Sequence, residues 1–585
     1  MLNFLSINNT QCLRLMQVPY KLGWFSFCVY CFFLTNILNG QTIPAGFPLI
    51  EDQARISQLL GKKSYRDYSF SSRPIRLDDT FANSLFQSDS LKSTENLNYK
   101  SKTIEIKVLP LLSTLVFNSS RPFGWGNYGI QNGKGISTLI SPGVFLKFHF
   151  FEIQLRPELA YSQNLEFEGY PSNFSSEINF ARFRFWNFGD HPERFYGELN
   201  RFAGLGQSYA SFSFGKVEIG AGTQNIWWGP GQYSALIFSN NARGIPHLFF
   251  KTKSPANIGI GFLEAQIIAG KAKDSKLEPS QNKELNKVFF NEFNGDWRYV
   301  NGISLVFQPD LLKGLSLGFN RTFQQYNKNV EKSFLGRFPI FETFLKERLF
   351  QNGNSVDYDQ RGQDQQVSVF FRMKNEKGRF EIYSEYGRRD HSFNWREFIL
   401  NPEHARAYLL GFSKLISSGH PDEFYQLKGE IIHQSESVNR HLRYERLGVI
   451  NTSWHTHYQV RGFSNFGESM GVGVGVGSNA QIFEFSKVKT SSKVGLIFKR
   501  IVNHQDFYNQ VRTLGFTMRP WIDYSLGLIW DQQFDSFIIG SKLQFVKSQN
   551  YQWESGAFTS EDFDNGPRSV ALYGQVHLIY NFQNK

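Results

Sequence analysis

The densest set of residues able to do chemistry lies between Thr223 and Lys251, in the stretch TQNIWWGPGQYSALIFSNNARGIPHLFFK. Trp227, Trp228, Gly229 and Pro230 stand shortly before Asn240 and Asn241. Indole faces stack on the apolar C–H face of a pyranose, and amides make paired hydrogen bonds to hydroxyls. That combination fits a sugar site. The same residues also suit a structural loop folded into a lumen and held by glycine and proline turns, which residue chemistry alone favours. Arg388 and Arg461 are candidate holders of acidic groups, although Arg388, Arg389 and Asp390 would serve equally as lumen charges.

Other constellations carry less. His455 and His457 would share a face on a strand, a spacing that can bind a metal, but no third ligand is evident nearby. No metal or cofactor is therefore expected. Glu381 and Glu385 would stand ~13 Å apart at a rise of ~3.3 Å per residue, too far for the ~5 Å of a retaining glycosidase pair. The Val472–Gly477 run VGVGVG lacks the Lys-Ser/Thr ending and following helix of a phosphate loop. Small residues on a crowded barrel wall explain it better. No nucleophile–base set can be assembled, so an enzyme is not expected and a hydrolase ranks last.

The elements that would position these residues alternate with period two. From Phe151 the apolar set is Phe151, Ile153, Leu155, Leu159 and Tyr161, against Glu152, Gln154, Arg156 and Glu158. The preceding segment sets Val144, Leu146, Phe148 and Phe150 against Lys147 and His149, so a tight reversal falls near Phe150–Phe151. Phe212 and Phe214 lead through Gly215-Lys216 to Val217 and Ile219, the sequence of a two-residue hairpin. Ile303–Phe307 into Leu315–Phe319, and Val367–Met373 into Phe380–Tyr386, repeat the pattern. At the C-terminus Gly574, Val576, Leu578, Tyr580 and Phe582 share one parity, which resembles the signal read by the barrel-assembly machinery. Aromatics make up 16% of the chain while mean hydropathy is −0.36, as short strands between lipid and water require. After Leu38 no apolar run is long enough for a spanning helix. In lipid that leaves a closed barrel.

The expected fold is thus all-β: a transmembrane outer-membrane barrel over residues 101–585, of about 18 antiparallel strands if each takes about 9–11 residues plus turns and loops. A short helical element and linker over residues 41–100 is expected at the periplasmic side, with helical spacing at Ala54, Ile56, Leu59 and Leu60. Residues 1–40 read as a cleaved signal peptide: Lys21, the apolar run Leu22–Leu38, then small and polar residues. Cys12, Cys28 and Cys31 all fall inside it, so disulfide and thiol chemistry are excluded after cleavage. The formal charge of +12 points to anionic polysaccharide or lipopolysaccharide as partner rather than nucleic acid, but the charges are dispersed, so a solvated lumen and loops account for much of the excess.

A family resemblance sharpens this. The W-G-P segment, the Ser239–Ala242 quartet SNNA and Pro246, then Phe380–Asp390 (FEIYSEYGRRD), Tyr408–Gly411 and the ordered residues His457, Arg461-Gly462, Gly467, Gly471 and Gly477–Asn479 resemble the Wzi family of capsule-assembly proteins. The resemblance implies an 18-stranded outer-membrane barrel with an N-terminal helical part. It also implies lectin-like attachment of capsular or other surface polysaccharide to the cell surface, without bond chemistry. Trp227, Trp228, Gly229, Pro230, Asn240, Asn241, Arg388 and Arg461 are the candidate ligand-binding residues. Outer-membrane lipid and, during biogenesis, the barrel-assembly machinery are the other expected partners. The alternative is a channel or transporter for small solutes or oligosaccharides, which a plugged lumen would argue against.

Overall fold

The computed structural model describes residues 42–61, 68–76, 99–101, 103–195, 200–293, 295–345, 361–390, 392, 394–420, 422–443, 452–553 and 568–582. The expected signal peptide, residues 1–40, and residues 77–98 of the expected linker lie outside them.

The alternating segments become the wall of a closed barrel of 18 antiparallel strands. In chain order these are β1 (Ile104–Asn118), β2 (Gly135–Phe148), β3 (Phe151–Leu155 with Glu158–Ser162), β4 (Asn200–Gly204 with Tyr209–Phe214), β5 (Val217–Gly222) and β6 (His247–Thr252). Next come β7 (Gly261–Ala272), β8 (Arg298–Pro309), β9 (Leu315–Tyr326), β10 (Asp364–Asn375), β11 (Phe380–Arg389) and β12 (Arg406–Ser417). The last six are β13 (Glu423–His433), β14 (Asn479–Lys489), β15 (Ser492–Val502), β16 (Ile522–Gln533), β17 (Phe537–Gln549) and β18 (Arg568–Tyr580). Pro157 divides β3, because proline has no N–H to give the ladder. Each strand pairs with the next, and β18 returns to β1 in the register Tyr573↔Asn118 to Tyr580↔Leu111. The ring of described strands therefore has no open edge, which is what a sheet facing lipid requires.

One parity of each strand faces out and is apolar. On β2 Ile136, Ile140, Val144 and Phe148 are exposed while Ser137, Ser141 and Lys147 are buried. On β17 Leu543 and Phe545 face out and Gln544 and Ser548 face in. Leu526, Leu528 and Trp530 of β16 and Val570 and Leu572 of β18 continue the outer apolar band. An apolar band around a polar interior is the membrane-barrel arrangement.

Connections are short at one end. The reversal after β2 is His149-Phe150, one residue earlier than the sequence places it, and Gly215-Lys216 joins β4 to β5 with Gly215 at φ +58°. At the other end run long loops, including 163–199, 223–246, 273–297, 327–363 and 434–478. Barrels of this kind place short turns on the periplasmic side and long loops outside.

The lumen is filled. The expected N-terminal helix is α1, Pro48–Leu59, started by Pro48 and by Glu51, whose carboxylate accepts from the Gly46 N–H at 2.7 Å. It stands inside the wall at the short-turn end, where Ile56 and Leu59 pack on Leu415 and Val488 near the ends of β12 and β14. Its polar face is tied to the wall: Asp52 to Lys428 (3.1 Å) and Lys493 (2.6 Å), and Arg55 to Glu381 (3.4 Å). Further along, Arg76 bridges Glu152 (2.8 Å) and Glu218 (2.9 Å). Charges taken out of water persist only when paired, and the inward charges of β3, β5, β11 and β13–β15 supply those pairs. Between α1 and the 223–246 loop lies a lumenal cavity of about 110 Å3.

Candidate functional site

The long loops carry a second apolar core above the plugged lumen. The helix α2, Ser176–Gly189, is capped by Ser175, whose hydroxyl accepts from the Ile178 N–H at 3.5 Å, and ends at Asp190 in a left-handed conformation. It buries Ile178, Ala181, Phe183, Phe185 and Trp186. Helix α3 (Lys283–Phe289) brings Phe289 against Phe183, and helix α4 (Gln505–Thr513) adds Phe507 and Val511. Trp521, Tyr551 and Trp553 complete the cluster with edge-on contacts of 5.0–5.4 Å centred on Trp521.

Against this cluster opens a cavity of about 250 Å3 lined by residues of six loops. Trp186, Trp521 and Tyr551 supply aromatic walls, and Arg121, Arg182, Asn241, Glu193 and Glu468 supply polar groups. Arg121 is committed: it donates to Ser548 Oγ at 2.8 Å and pairs with Asp523 at 2.8 Å. Arg182 is not. Its guanidinium lies 4.0 Å from the centre of the Trp186 ring and 5.4 Å from that of Trp553, and is 3% exposed. It makes no hydrogen bond or ion pair with any described residue, and burial pulls its pKa down to about 10. A buried guanidinium without a partner is costly unless something else supplies the acceptors.

Three imidazoles border the same space. His191 stands edge-on to His455 at 5.6 Å, and His504 lies 5.5 Å from Trp553. Burial pushes His191 down to about 4 and holds His455 and His504 well below the usual histidine range, so all three are neutral at pH 7. Burial pushes the Glu193 and Glu468 carboxyls up. Neutral imidazoles and the Asn241 amide beside aromatic faces suit a hydroxyl-rich ligand, and Arg182 adds one cationic contact. Among the described residues no three histidines, cysteines or carboxylates gather as a metal site. His455 and His457 part, since His455 bonds Gln434 while His457 comes within 4.0 Å of Asp364.

A family model for capsule assembly protein Wzi matches residues 122–447. The chain belongs to the Wzi family. Among solved structures, Wzi of Escherichia coli aligns at TM-score 0.54 with 12% identity, over 92% of this chain and 100% of its own. That protein is an outer-membrane protein involved in group 1 capsule assembly and a carbohydrate-binding β-barrel. OccD3 of Pseudomonas aeruginosa (TM-score 0.35, 8% identity, 81% of this chain, 92% of its own) and OccAB3 of Acinetobacter baumannii (0.37, 9%, 81%, 98%) align less well. No curated protein matches the sequence.

Within this Wzi-family barrel the residues singled out from sequence fall mostly in the lumen. Trp228 is fully buried and donates from Nε1 to Gln266 at 2.9 Å. Trp227 is 2% exposed, with the Arg73 guanidinium over its ring. Both pair with the N-terminal segment, Trp228 with Ser72 and Trp227 with Arg73. The carbonyls of Gly229 and Pro230 accept from Arg73 (3.0 Å) and Arg55 (2.9 Å). Gly229 has φ +119° and no room for a Cβ beside Glu385. These four residues, expected to face sugar, are packed in this structure against their own N-terminal segment, with Trp227 also on the wall of the lumenal cavity. Asn240 donates to the Gly46 carbonyl at 3.2 Å, facing the plug. Asn241 lines the loop cavity while donating to the Ser469 carbonyl at 2.9 Å. Arg388 donates to Phe398 O (2.8 Å) and Arg461 to Asn291 O (3.0 Å), each outside the cavity lining. Glu381 and Glu385 likewise serve the fold, bonding Arg372 (2.6 Å) and Ser368 (2.8 Å).

The VGVGVG run is not in the wall but in the 434–478 loop. There a Cβ on Gly473 would strike the Asn241 side chain and one on Gly471 the Leu236 carbonyl. What sequence missed is Arg182, Trp186, Trp521 and Tyr551. Their one signal was aromatic density in Phe183–Phe188 and around residues 521 and 551, segments too far apart in sequence to read as one motif.

Proposed function

We propose that this protein is an outer-membrane lectin that binds capsular or other surface polysaccharide in the loop cavity and so attaches it to the cell surface. The observation that carries the reading is the buried Arg182 guanidinium, stacked on Trp186 and without a hydrogen bond or ion pair among the described residues. In this reading a pyranose ring lies against Trp186 and Trp521, Arg182 takes a carboxylate or a pair of hydroxyls, and Asn241 adds an amide contact. A long polymer meets many such barrels, so modest affinity at each cavity suffices for retention. Attachment needs no bond made or broken, and we propose a binder rather than an enzyme. Membrane lipid around the apolar band, and the barrel-assembly machinery reading the last strand, are the further partners of this reading.

A channel is the second reading, and the filled lumen weighs against it. The test is binding of the detergent-solubilised barrel to the producing strain's own capsular polysaccharide, beside Arg182→Gln and Trp186→Ala. Binding by the wild type and its loss in both variants would support the lectin. Equal binding by all three would remove the cavity from the reading.

A further inference from the structure

The loop between β9 and β10 does not stay above the rim. Residues 327–345 fold down over the outer face of β8 and β9. Arg321, at an outward position of β9, donates to the carbonyls of Ile340 (3.0 Å), Glu342 (2.7 Å) and Thr343 (3.1 Å). Asn301, at an outward position of β8, accepts from the Ile340 N–H at 3.5 Å. These bonds hold an overhang against the wall at the loop end of the barrel.

Between the overhang and the wall lies a groove of about 1000 Å3, at the upper end of the ~300–1,000 Å3 range of small-molecule sites. Its floor is apolar: Leu155, Leu205, Ala221, Leu248 and Ala269 of β3–β7, with Leu205 and Leu248 61% and 63% exposed. The alanines leave the depression that the leucines border. Phe338 closes it from the overhang. Phe334 and Phe341, stacked at 6.1 Å and 66% and 50% exposed, extend the apolar surface into the surrounding membrane.

The rim is basic. Lys271, Lys332 and Arg337 all line the groove, and none forms an ion pair with a described residue. Lys271 is held in place with Nζ 4.7 Å from the centre of the Trp297 ring. The one acid there, Glu331, is already paired with Arg361 at 3.2 Å. An apolar trough inside the bilayer, with three cations at its outer edge that form no ion pair among the described residues, complements a lipid with several acyl chains and more than one phosphate.

We propose that this groove is a specific site for a phosphorylated, multiply acylated glycolipid of the outer leaflet, the lipid A class. Its acyl chains lie on the β3–β7 floor and its phosphates against Lys271, Lys332 and Arg337. A glycerophospholipid, with a single phosphodiester, would leave cations of the rim unanswered. The site is separate from the loop cavity and does not depend on the polysaccharide reading.

The test is native mass spectrometry of the delipidated full-length barrel in detergent, offered either hexa-acylated lipid A or phosphatidylglycerol. The expected result is one lipid A retained per barrel and phosphatidylglycerol lost. Lys271→Gln/Lys332→Gln/Arg337→Gln should bind lipid A at least about ten-fold more weakly, since each cation near a membrane surface contributes about 1 kcal/mol to anionic lipid binding. Ala221→Trp fills the floor, leaves the cations in place, and should lose the lipid as well. Both variants should keep the heat-modifiable gel mobility of a folded barrel and unchanged polysaccharide binding. Equal lipid A retention by the wild type and the folded triple variant would overturn the proposal. So would phosphatidylglycerol held as tightly as lipid A, or a lipid-free dimer mass that placed a second copy in the groove.

Discussion

The guanidinium of Arg73 lies 4.1 Å from the centre of the Trp227 ring. It is fixed there by the Glu51 carboxylate at 2.7 Å and by the carbonyls of Gly229 and Gly231. The indole that looks most like a sugar platform in the sequence is thus the socket of the plug. Trp227→Ala should lower barrel stability by about 3–5 kcal/mol, the usual cost of truncating a buried tryptophan. It should leave polysaccharide affinity unchanged in whatever fraction folds. Urea unfolding followed by binding to the refolded fraction separates the two effects.

Arg182 should behave in the opposite way. Among the described residues it has ring contacts but no hydrogen bond or ion pair to lose, so Arg182→Gln should cost less stability than loss of a buried ion pair. It should weaken polysaccharide binding by roughly 10-fold to 100-fold, the range of a charge-assisted hydrogen bond worth about 1.5–3 kcal/mol. Isothermal titration beside a thermal melt decides. A large drop in Tm with intact affinity would make Arg182 a structural residue.

The buried histidines give a pH dependence of known sign. His191 falls to about 4 in the folded chain against about 6.5 for a free imidazole. Between those values the unfolded chain takes the proton and the folded one does not, so stability falls as pH drops from about 6.5 towards 4. Glu468, pushed up, acts in the reverse direction: its folded form keeps a proton that the unfolded chain releases as pH rises above about 4.5. A wild-type melt mixes both trends. His191→Gln removes the first alone, so the variant should lose less Tm than the wild type between pH 6.5 and 4. Parallel Tm curves would refute a neutral buried His191.

Asp52 meets Lys428 and Lys493 at 3.1 and 2.6 Å, and Arg55 meets Glu381, so α1 is anchored to the β11–β15 arc of the wall. In a planar bilayer the intact protein should show no steady ion conductance. Deletion of residues 48–59 should open one, selective for the ions that the exposed lumenal charges favour. Conductance by the intact protein at the deletion's level would move the reading to a channel.

The wall was legible in the sequence because a strand writes its two environments in alternate residues. Ile153 and Leu155 against Glu152 and Gln154 need no partner to be read. The lumen was legible only in type. Glu152 is plainly an inward acid, but of its answering cations, Lys253, Lys147 and Arg76, the last stands outside the barrel sequence in a stretch without periodicity. The setting of Trp227 and Trp228 was hidden for the same reason: an indole that meets Arg73 and one that meets a sugar look alike until the covering segment is known. The loop cavity was invisible, since Arg182, Trp521 and Tyr551 come from three loops whose meeting depends on how the canopy packs.

The pairing of Ser72 and Arg73 with Trp228 and Trp227 also bears on biogenesis. A ring that closes by joining its last strand to its first is incomplete until the far end of the chain has arrived. Its contents are encoded just ahead of β1. The filling therefore exists before the container, and the wall has to gather around a segment it will enclose. Errors in that segment should surface as stalled insertion at the membrane, well before any defect in what the finished surface can hold.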